Sequence, residues 1–154
     1  MKLLFIISTL TFSALSYAEC PALQGRYNKC YSEVRTIKGE YIVDQHQESN
    51  YEVYDIEYND DETGESRTEQ FKTNDQVISR KEVLPRINVR VRIEGKARCE
   101  GLAVNSDADV YFLGAKVGSF TSSIFREGKI LKSNIDGAYL GKDVHKRIVC
   151  TLEE

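Results

Sequence analysis

The sequence has no tryptophan, its only methionine is Met1, and it contains just two prolines and two histidines. The histidines, His46 and His145, stand apart and leave little material for acid–base or metal chemistry. An excess of positive charge is also missing, because the formal net charge is −3. This balance excludes a binder that relies on bulk positive charge, and we expect no nucleic-acid partner.

Long apolar runs are missing except at the N-terminus. Met1-Lys2 supplies one positive charge, and the run from Leu3 to Leu15 is interrupted only by serine and threonine. Ser16 and Ala18 then occupy positions −3 and −1 of a cleavage site, which is the pattern of a secretory signal peptide. The apolar run is too short for an ordinary membrane span. We predict a signal peptide over 1–18 and one exported domain over 19–154, secreted or periplasmic, monomeric and without a membrane span.

All four cysteines, Cys20, Cys30, Cys99 and Cys150, follow the predicted cleavage site. An even number in an exported chain predicts two disulfides, and without a C-x-x-C motif we expect no metal and no cofactor. Three pairings are possible. Cys20 and Cys30 would lie about 30 Å apart on a straight strand. If the first and last strands are neighbours, Cys30 pairs with Cys150 and Cys20 with Cys99, although the pairing stays open at this point.

Alternation of apolar and polar residues is the main structural signal. It is clearest where Ile87, Val89, Val91 and Ile93 share one face. Similar runs occur at Leu23–Tyr31, Glu40–Gln47, Tyr51–Tyr58, Ser66–Thr73, Ala97–Val104, Asp109–Leu113, Ser119–Arg126, Lys129–Ile135 and Val144–Leu152. Turn signals between the runs include Glu94-Gly95-Lys96, Asn105-Ser106-Asp107, Glu127-Gly128-Lys129 and Asp136-Gly137. Residues 75–84 fit either a short helix or a strand, and we favour the strand.

The spacing of these runs predicts an all-β fold. Strands about ten residues apart with short turns are typical of an antiparallel meander. A sandwich or a closed barrel would bury the apolar faces, and closure also removes exposed edges. We predict an antiparallel up-and-down β-barrel of about eight to ten strands, stabilised by disulfides. A barrel of that size can hold one small ligand.

The first predicted strand contains Gly25-Arg26-Tyr27. This tripeptide resembles the G-x-W motif of lipocalins, with Tyr27 in the position of the tryptophan, whereas no T-D-Y-like motif occurs in the middle of the chain. The resemblance implies a calycin-like barrel in which Gly25 permits close packing at the base and Tyr27 closes it. It also implies an arginine of the last strand over the aromatic ring, for which Arg147 is the positional candidate.

Charged segments offer few candidates for chemistry. Asp60-Asp61-Glu62-Thr63-Gly64-Glu65 has oxygens for calcium but not the ligand spacing of an EF-hand loop, so a solvated hairpin tip is the better interpretation. Arg86, Arg90 and Arg92 could bind an anionic partner, but cross-strand charge pairing explains them better. No catalytic motif surrounds either histidine, and we do not expect an enzyme.

Aromatic residues are the remaining candidates for a site. Tyrosine and phenylalanine can line a small-molecule pocket, although the same residues also build ordinary cores. We predict an exported protein that binds a small apolar or amphipathic ligand. The candidate contacts are Tyr27, Tyr54, Tyr58, Phe112 and Phe120. The alternative is a secreted protein-binding or inhibitor module with a solid core, which would have a protein partner.

Overall fold

The structure, a computed structural model, describes residues 20–33, 36–62, 64, 66–84 and 88–153. The predicted signal peptide, 1–18, lies outside these residues, as do Thr63, Glu65, Arg86 and Ile87. In the described part of the chain, no helix has the length and apolar character needed to cross a membrane.

Eleven β-strands make up the described secondary structure. They are β1 (Gly25–Ser32), β2 (Thr36–Ile37), β3 (Gly39–Glu48), β4 (Tyr51–Asp60), β5 (Ser66–Lys72), β6 (Ile78–Leu84), β7 (Val89–Glu100), β8 (Ala103–Phe112), β9 (Ala115–Glu127), β10 (Ile130–Tyr139) and β11 (Lys142–Leu152). Every pairing is antiparallel, so the predicted all-β class is confirmed. The strand at 78–84 also confirms the strand interpretation of the ambiguous segment, whose first residues, 75–77, are irregular.

The strand order is β5-β4-β3-β1-β11-β10-β9-β8-β7-β6, and the two-residue β2 pairs with β1 outside this path. Neighbours in sequence are neighbours in space, and the first strand pairs with the last, as in an up-and-down barrel. The predicted antiparallel up-and-down barrel architecture is thus confirmed, in the form of a curled half-barrel, because β5 and β6 are not hydrogen-bonded to each other.

The segment between β5 and β6 gives a physical reason for the open seam. Asn74 forms an isolated bridge with Arg98 of β7, and the amide of Asp75 donates to the carbonyl of Ala97 at 3.1 Å. This segment therefore takes its hydrogen bonds from β7, and β5 is held beside β7 without joining β6.

The interior of the curl is packed at one end, which we call the lower end. It carries the β7–β8 turn at Gly101-Leu102, and the upper end carries the turns at Leu113-Gly114 and Leu140-Gly141. Residues 20–24 lie at the lower end and bury Leu23 completely. The main cluster of buried residues consists of Leu23, Tyr27, Cys30, Val43, Tyr54, Ile56, Ala97, Val104, Ile124, Leu131, Ile148 and Cys150. Val91 of β7 and Val110 of β8 are also buried, nearer the upper end. Each large apolar side chain buried there stabilises the fold by about 1.5–3 kcal/mol.

Both disulfides follow the favoured pairing. Cys30 bonds Cys150, as expected from the adjacency of β1 and β11, and Cys20 bonds Cys99. The register between β1 and β11 shifts near Lys29, whose φ is 48°. A bulge of this kind adds a residue to one strand. As a result Tyr27 and Cys30, three positions apart, are both buried.

Three predicted turns are wrong. The chain continues as strand through Glu94-Gly95-Lys96, Asn105-Ser106-Asp107 and Asp136-Gly137. The predicted strand Ala97–Val104 instead contains the β7–β8 turn. Gly95 and Gly137 allow a neighbouring strand to approach closely. A Cβ on Gly137 would lie 2.2 Å from the carbonyl oxygen of Ser119, and one on Gly95 would lie 3.1 Å from that of Asp107.

Candidate functional site

Two of the five predicted ligand contacts belong to the packed lower end. Tyr27 and Tyr54 are 0% and 1% exposed. The Tyr27 hydroxyl donates to the carbonyl of Leu23 at 2.6 Å, and the Tyr54 hydroxyl donates to that of Pro21 at 2.7 Å. Burial removes solvent from the Tyr54 hydroxyl and raises its pKa well above its ordinary value. Both tyrosines therefore fix the N-terminal segment against the sheet.

The other three predicted contacts lie toward the upper end. Tyr58 is half-buried and stacks on Tyr41 of β3, with ring centroids 4.7 Å apart. Phe120 is half-buried on the inner face of β9, and Phe112 is 38% exposed beside the β8–β9 turn. The structure thus separates the five residues into a packed pair and a group that borders the open end.

Two aromatic rings rest against glycines on the inner face at the upper end. Phe120 is paired with Gly137, and a Cβ on this glycine would lie 2.7 Å from Cδ1 of the ring. Tyr139 is paired with Gly118, and the corresponding distance is 3.0 Å to its Cδ2. We call these four residues the aromatic shelf. Tyr139 is not among the five predicted contacts, because its pairing with a glycine depends on a register that the sequence does not show.

A small cavity lies at the seam between β5 and β7. Its volume is about 70 Å³, and its apolar lining comes from Phe71, Ile78, Ile93, Gly95, Ala97 and Ala108. Ligand pockets usually measure about 300–1,000 Å³. This enclosed space is therefore too small for a whole ligand, and a ligand on the inner face would have to use the open upper end.

A larger depression lies on the outer face of the sheet, across β7–β10. It measures about 320 Å³. Its outer-face side chains are all polar: Arg98, Asn105, Asp107, Thr121, Ser123, Asn134 and Asp136. Ser106 and Ser122 also border it, but alternation from the buried Val104 and Ile124 places their side chains on the inner face. This surface contains Asn105-Ser106-Asp107, which the sequence predicts as a turn and the structure places within β8.

Ion pairs control the charges at the borders of the depression. Arg98 donates to Asp107 and Arg147 donates to Asp136, both at 2.9 Å. The hydrogen bond from Arg147 and, to a smaller extent, the one from His145 hold the pKa of the Asp136 carboxyl below its ordinary value. The hydrogen bond to Glu100 and, to a smaller extent, the one to Asp107 raise the pKa of the Arg98 guanidinium. The lowered pKa keeps the Asp136 carboxylate charged at neutral pH, and the raised pKa keeps the Arg98 guanidinium charged.

Arg147 does not take the position that the lipocalin resemblance implies. Its neighbour Ile148 is buried in the core, so alternation directs Arg147 to the outer face, where it binds Asp136. The expected contact with the ring of Tyr27 is therefore wrong. Tyr27 is covered instead by the N-terminal segment, through its bond to Leu23.

Neither histidine is placed for catalysis. His46 lies 3.7 Å from both Glu48 and Asp55 on an exposed surface. His145 Nδ1 lies 2.8 Å from Asp136, but the carboxylate stands between His145 and the hydroxyl of Thr121 in the register. A catalytic triad needs the imidazole between the hydroxyl and the carboxylate. The pair is therefore a hydrogen-bonded contact on the outer face and not part of a catalytic triad.

The acidic segment forms the end of a hairpin. β4 ends at Asp60, whose carboxylate accepts from the amide of Glu62 at 2.9 Å, and Lys38 pairs with Glu62 at 3.2 Å. Among the residues that the structure describes, no three His, Cys, Asp or Glu side chains are grouped so that they could hold a metal ion. These contacts favour a hairpin tip with local charge pairing.

Comparison with known proteins adds no relative. No protein-family model matches the chain, and no curated protein or solved structure is significantly similar to it. Functional inference for this chain therefore depends on its own two surfaces, the aromatic shelf inside the curl and the polar depression outside it.

Proposed function

We propose that the protein is an exported binding protein that holds a small amphipathic ligand at the upper end of its inner face. The observation that carries this proposal is the aromatic shelf, in which Phe120 and Tyr139 rest on glycines and remain partly exposed. Rings in this position offer an apolar surface together with a tyrosine hydroxyl. The two disulfides are compatible with an extracellular or periplasmic location.

Charge near the shelf favours a ligand with an anionic head group. Lys142 pairs directly with Tyr139, and Lys146 pairs with Ile135 on the same face. An ammonium group at either position would meet the carboxylate of a fatty acid whose chain lies on the shelf. Tyr41 and Tyr58 supply a second aromatic contact on β3 and β4, toward the same end.

A titration with dodecanoate, followed by amide NMR, tests this proposal. We expect the largest shifts at Gly118, Phe120, Gly137 and Tyr139. Phe120→Ala should weaken binding about tenfold, because it removes roughly one aromatic contact. The matched control is Phe125→Ala, since Phe125 lies on the same strand but on the outer face. Equal loss in both variants, or shifts only on the outer face, would contradict the proposal.

A protein-binding module is the second candidate. It is supported by Leu113 and Leu140, which are 91% and 64% exposed in two turns at the upper end. Exposed apolar side chains on neighbouring turns can anchor a protein partner. Crosslinking through Lys116 and Lys142 in a host extract, analysed by mass spectrometry, should yield a partner that the double variant Leu113→Asp, Leu140→Asp loses. Crosslinks that persist in this variant would argue against the candidate.

A further inference from the structure

Side chains on the outer face of β7–β11 repeat in mirrored order about β9. The cross-strand register aligns Arg98, Asn105, Ser123, Asn134 and Arg147 in one row. It aligns Lys96, Asp107, Thr121, Asp136 and His145 in the next row. We call these ten residues the outer array. In both rows the first and last residues are basic and the middle residue carries a hydroxyl. The residues between them are asparagines in the first row and aspartates in the second.

Contacts within the array follow the same mirror. Arg98 stands opposite Asn105 and reaches diagonally to Asp107 at 2.9 Å. Arg147 stands opposite Asn134 and reaches diagonally to Asp136 at the same distance. The two guanidinium charges are therefore offset by two carboxylates. An ionic ligand would have to displace one of these pairs, which disfavours a charged ligand.

The centre of the array lies lower than its borders because the side chains at the centre are small. Ser123 and Thr121 lie between longer side chains on both sides, and this difference in length produces the depression of about 320 Å³. In the part of the chain that the structure describes, the side chains of Ser123 and Asn134 make no hydrogen bond within the protein. Their donors and acceptors are available to a ligand. The mirror is not exact here, because the Asn105 amide donates to Glu100 at 2.7 Å, so a ligand would contact Asn105 mainly through its Oδ1.

We propose that the outer array is a second binding site, for a neutral, hydroxyl-rich ligand of the oligosaccharide class. A sugar hydroxyl both donates and accepts, and carboxamides, hydroxyls and ion-paired carboxylates can satisfy both functions at once. Asn105 and Asn134 lie two strands apart, which is about 10 Å at roughly 4.8 Å per strand. This spacing lets one sugar ring contact Ser123 while its hydroxyls reach both amides. The polar side chains that surround the depression disfavour a purely apolar ligand.

Amide NMR titrations with maltotriose, cellotriose and N,N′,N″-triacetylchitotriose at millimolar concentration test the proposal on the full exported chain. We expect at least one of them to shift the amides of Asn105, Ser123 and Asn134. Ser123→Leu fills the depression and should weaken binding at least about tenfold. Asn134→Ala leaves the depression open but removes one amide, and it should weaken the same titration by a smaller factor.

The matched control is Ser119→Leu, which makes the same exchange on the same strand and face, outside the lining of the depression. It should bind as tightly as the parent chain, and thermal unfolding should confirm that all three variants are folded. The proposal is overturned if Ser119→Leu binds as poorly as Ser123→Leu. It is also overturned if the shifts lie on the aromatic shelf, if trigalacturonate binds more tightly than every neutral trisaccharide, or if none of the neutral trisaccharides binds.

Discussion

Tyr27 illustrates how a single hydroxyl supports the lower end of the curl. It is fully buried, and it donates at 2.6 Å to the carbonyl of Leu23, which is also fully buried. Tyr27→Phe would leave this carbonyl without its donor and should lower the free energy of unfolding by about 1–2 kcal/mol. Urea unfolding measures the change. Tyr31→Phe is the control, because Tyr31 is 53% exposed and should change stability by less than about 0.5 kcal/mol.

Asp136 gives a prediction about pH. Its pKa is lowered first by Arg147 and then by His145. Because this pKa is lowered, the ion pair contributes its full stabilisation at pH values above the ordinary carboxyl pKa. The contribution is lost as the pH falls through the lowered pKa, where Asp136 becomes protonated. Arg147→Gln should therefore raise the pKa of Asp136 toward its ordinary value near 3.8.

Carbon-detected NMR titration of the Asp136 carboxyl measures this shift. The control is Arg92→Gln, which removes the same charge from a residue paired with Glu94 at 3.4 Å. If Arg92→Gln moves the Asp136 titration as far as Arg147→Gln does, net charge and not the local pair determines the pKa.

Two hairpins at the upper end carry leucine where the backbone favours glycine or asparagine. Leu113 and Leu140 have φ of 49° and 51°, and each precedes a glycine that also has positive φ. Such turns join β-strands well, but a leucine in the left-handed region costs roughly 1 kcal/mol. Leu113→Asn and Leu140→Asn should each raise the free energy of unfolding by about 0.5–1 kcal/mol.

Leu102→Asn is the control for the hairpin prediction. Leu102 is 81% exposed and also lies in a turn, but it is not among the residues with positive φ. Chemical denaturation of the three variants separates the two explanations. Equal stabilisation in all three would show that removing an exposed apolar side chain, and not relief of backbone strain, is responsible.

Alternation predicted the strands well because one face of almost every strand meets either the core or water. Three turn predictions failed because glycine and asparagine have two functions in this sheet. Gly95 and Gly137 admit neighbouring atoms that any Cβ would meet, and Asn105 belongs to the polar outer face. Composition alone cannot separate these functions from a turn. The mirrored rows were also beyond prediction, since they depend on the register of five strands.

At the scale of the molecule, the adjacency of the first and last strands was predictable, and with it the pairing of Cys30 with Cys150. The two disulfides close loops with sequence separations of 120 and 79. Loops of this length correspond to roughly 4–5 kcal/mol each in the chain-entropy model. The two disulfides differ in the elements that they connect. Cys30–Cys150 joins two strands that are already paired, whereas Cys20–Cys99 ties the N-terminal segment to β7.

Removing each bridge should therefore change different parts of the sheet. Cys20→Ser with Cys99→Ser should speed amide hydrogen exchange mainly in β6, β7 and the segment 20–24, because they lose a tie across the lower end. Cys30→Ser with Cys150→Ser should act mainly on β1 and β11. Hydrogen exchange measured by mass spectrometry distinguishes the two patterns. The same exchange profile in both double variants would contradict this division.

The seam between β5 and β6 has a mechanical consequence. The described residues tie the two sides of the seam through the bridge from Asn74 to Arg98, the Asp75–Ala97 hydrogen bond and two ion pairs. These ion pairs are Lys96–Asp75 at 3.3 Å and Arg80–Glu69 at 3.4 Å. They lie at or below the middle of the two strands. Among the described residues, the seam is thus tied at its lower half only, and no hydrogen bond of the sheet spans its upper half. We therefore expect the distance between the upper ends of β5 and β6 to vary more easily than the distance between their lower ends.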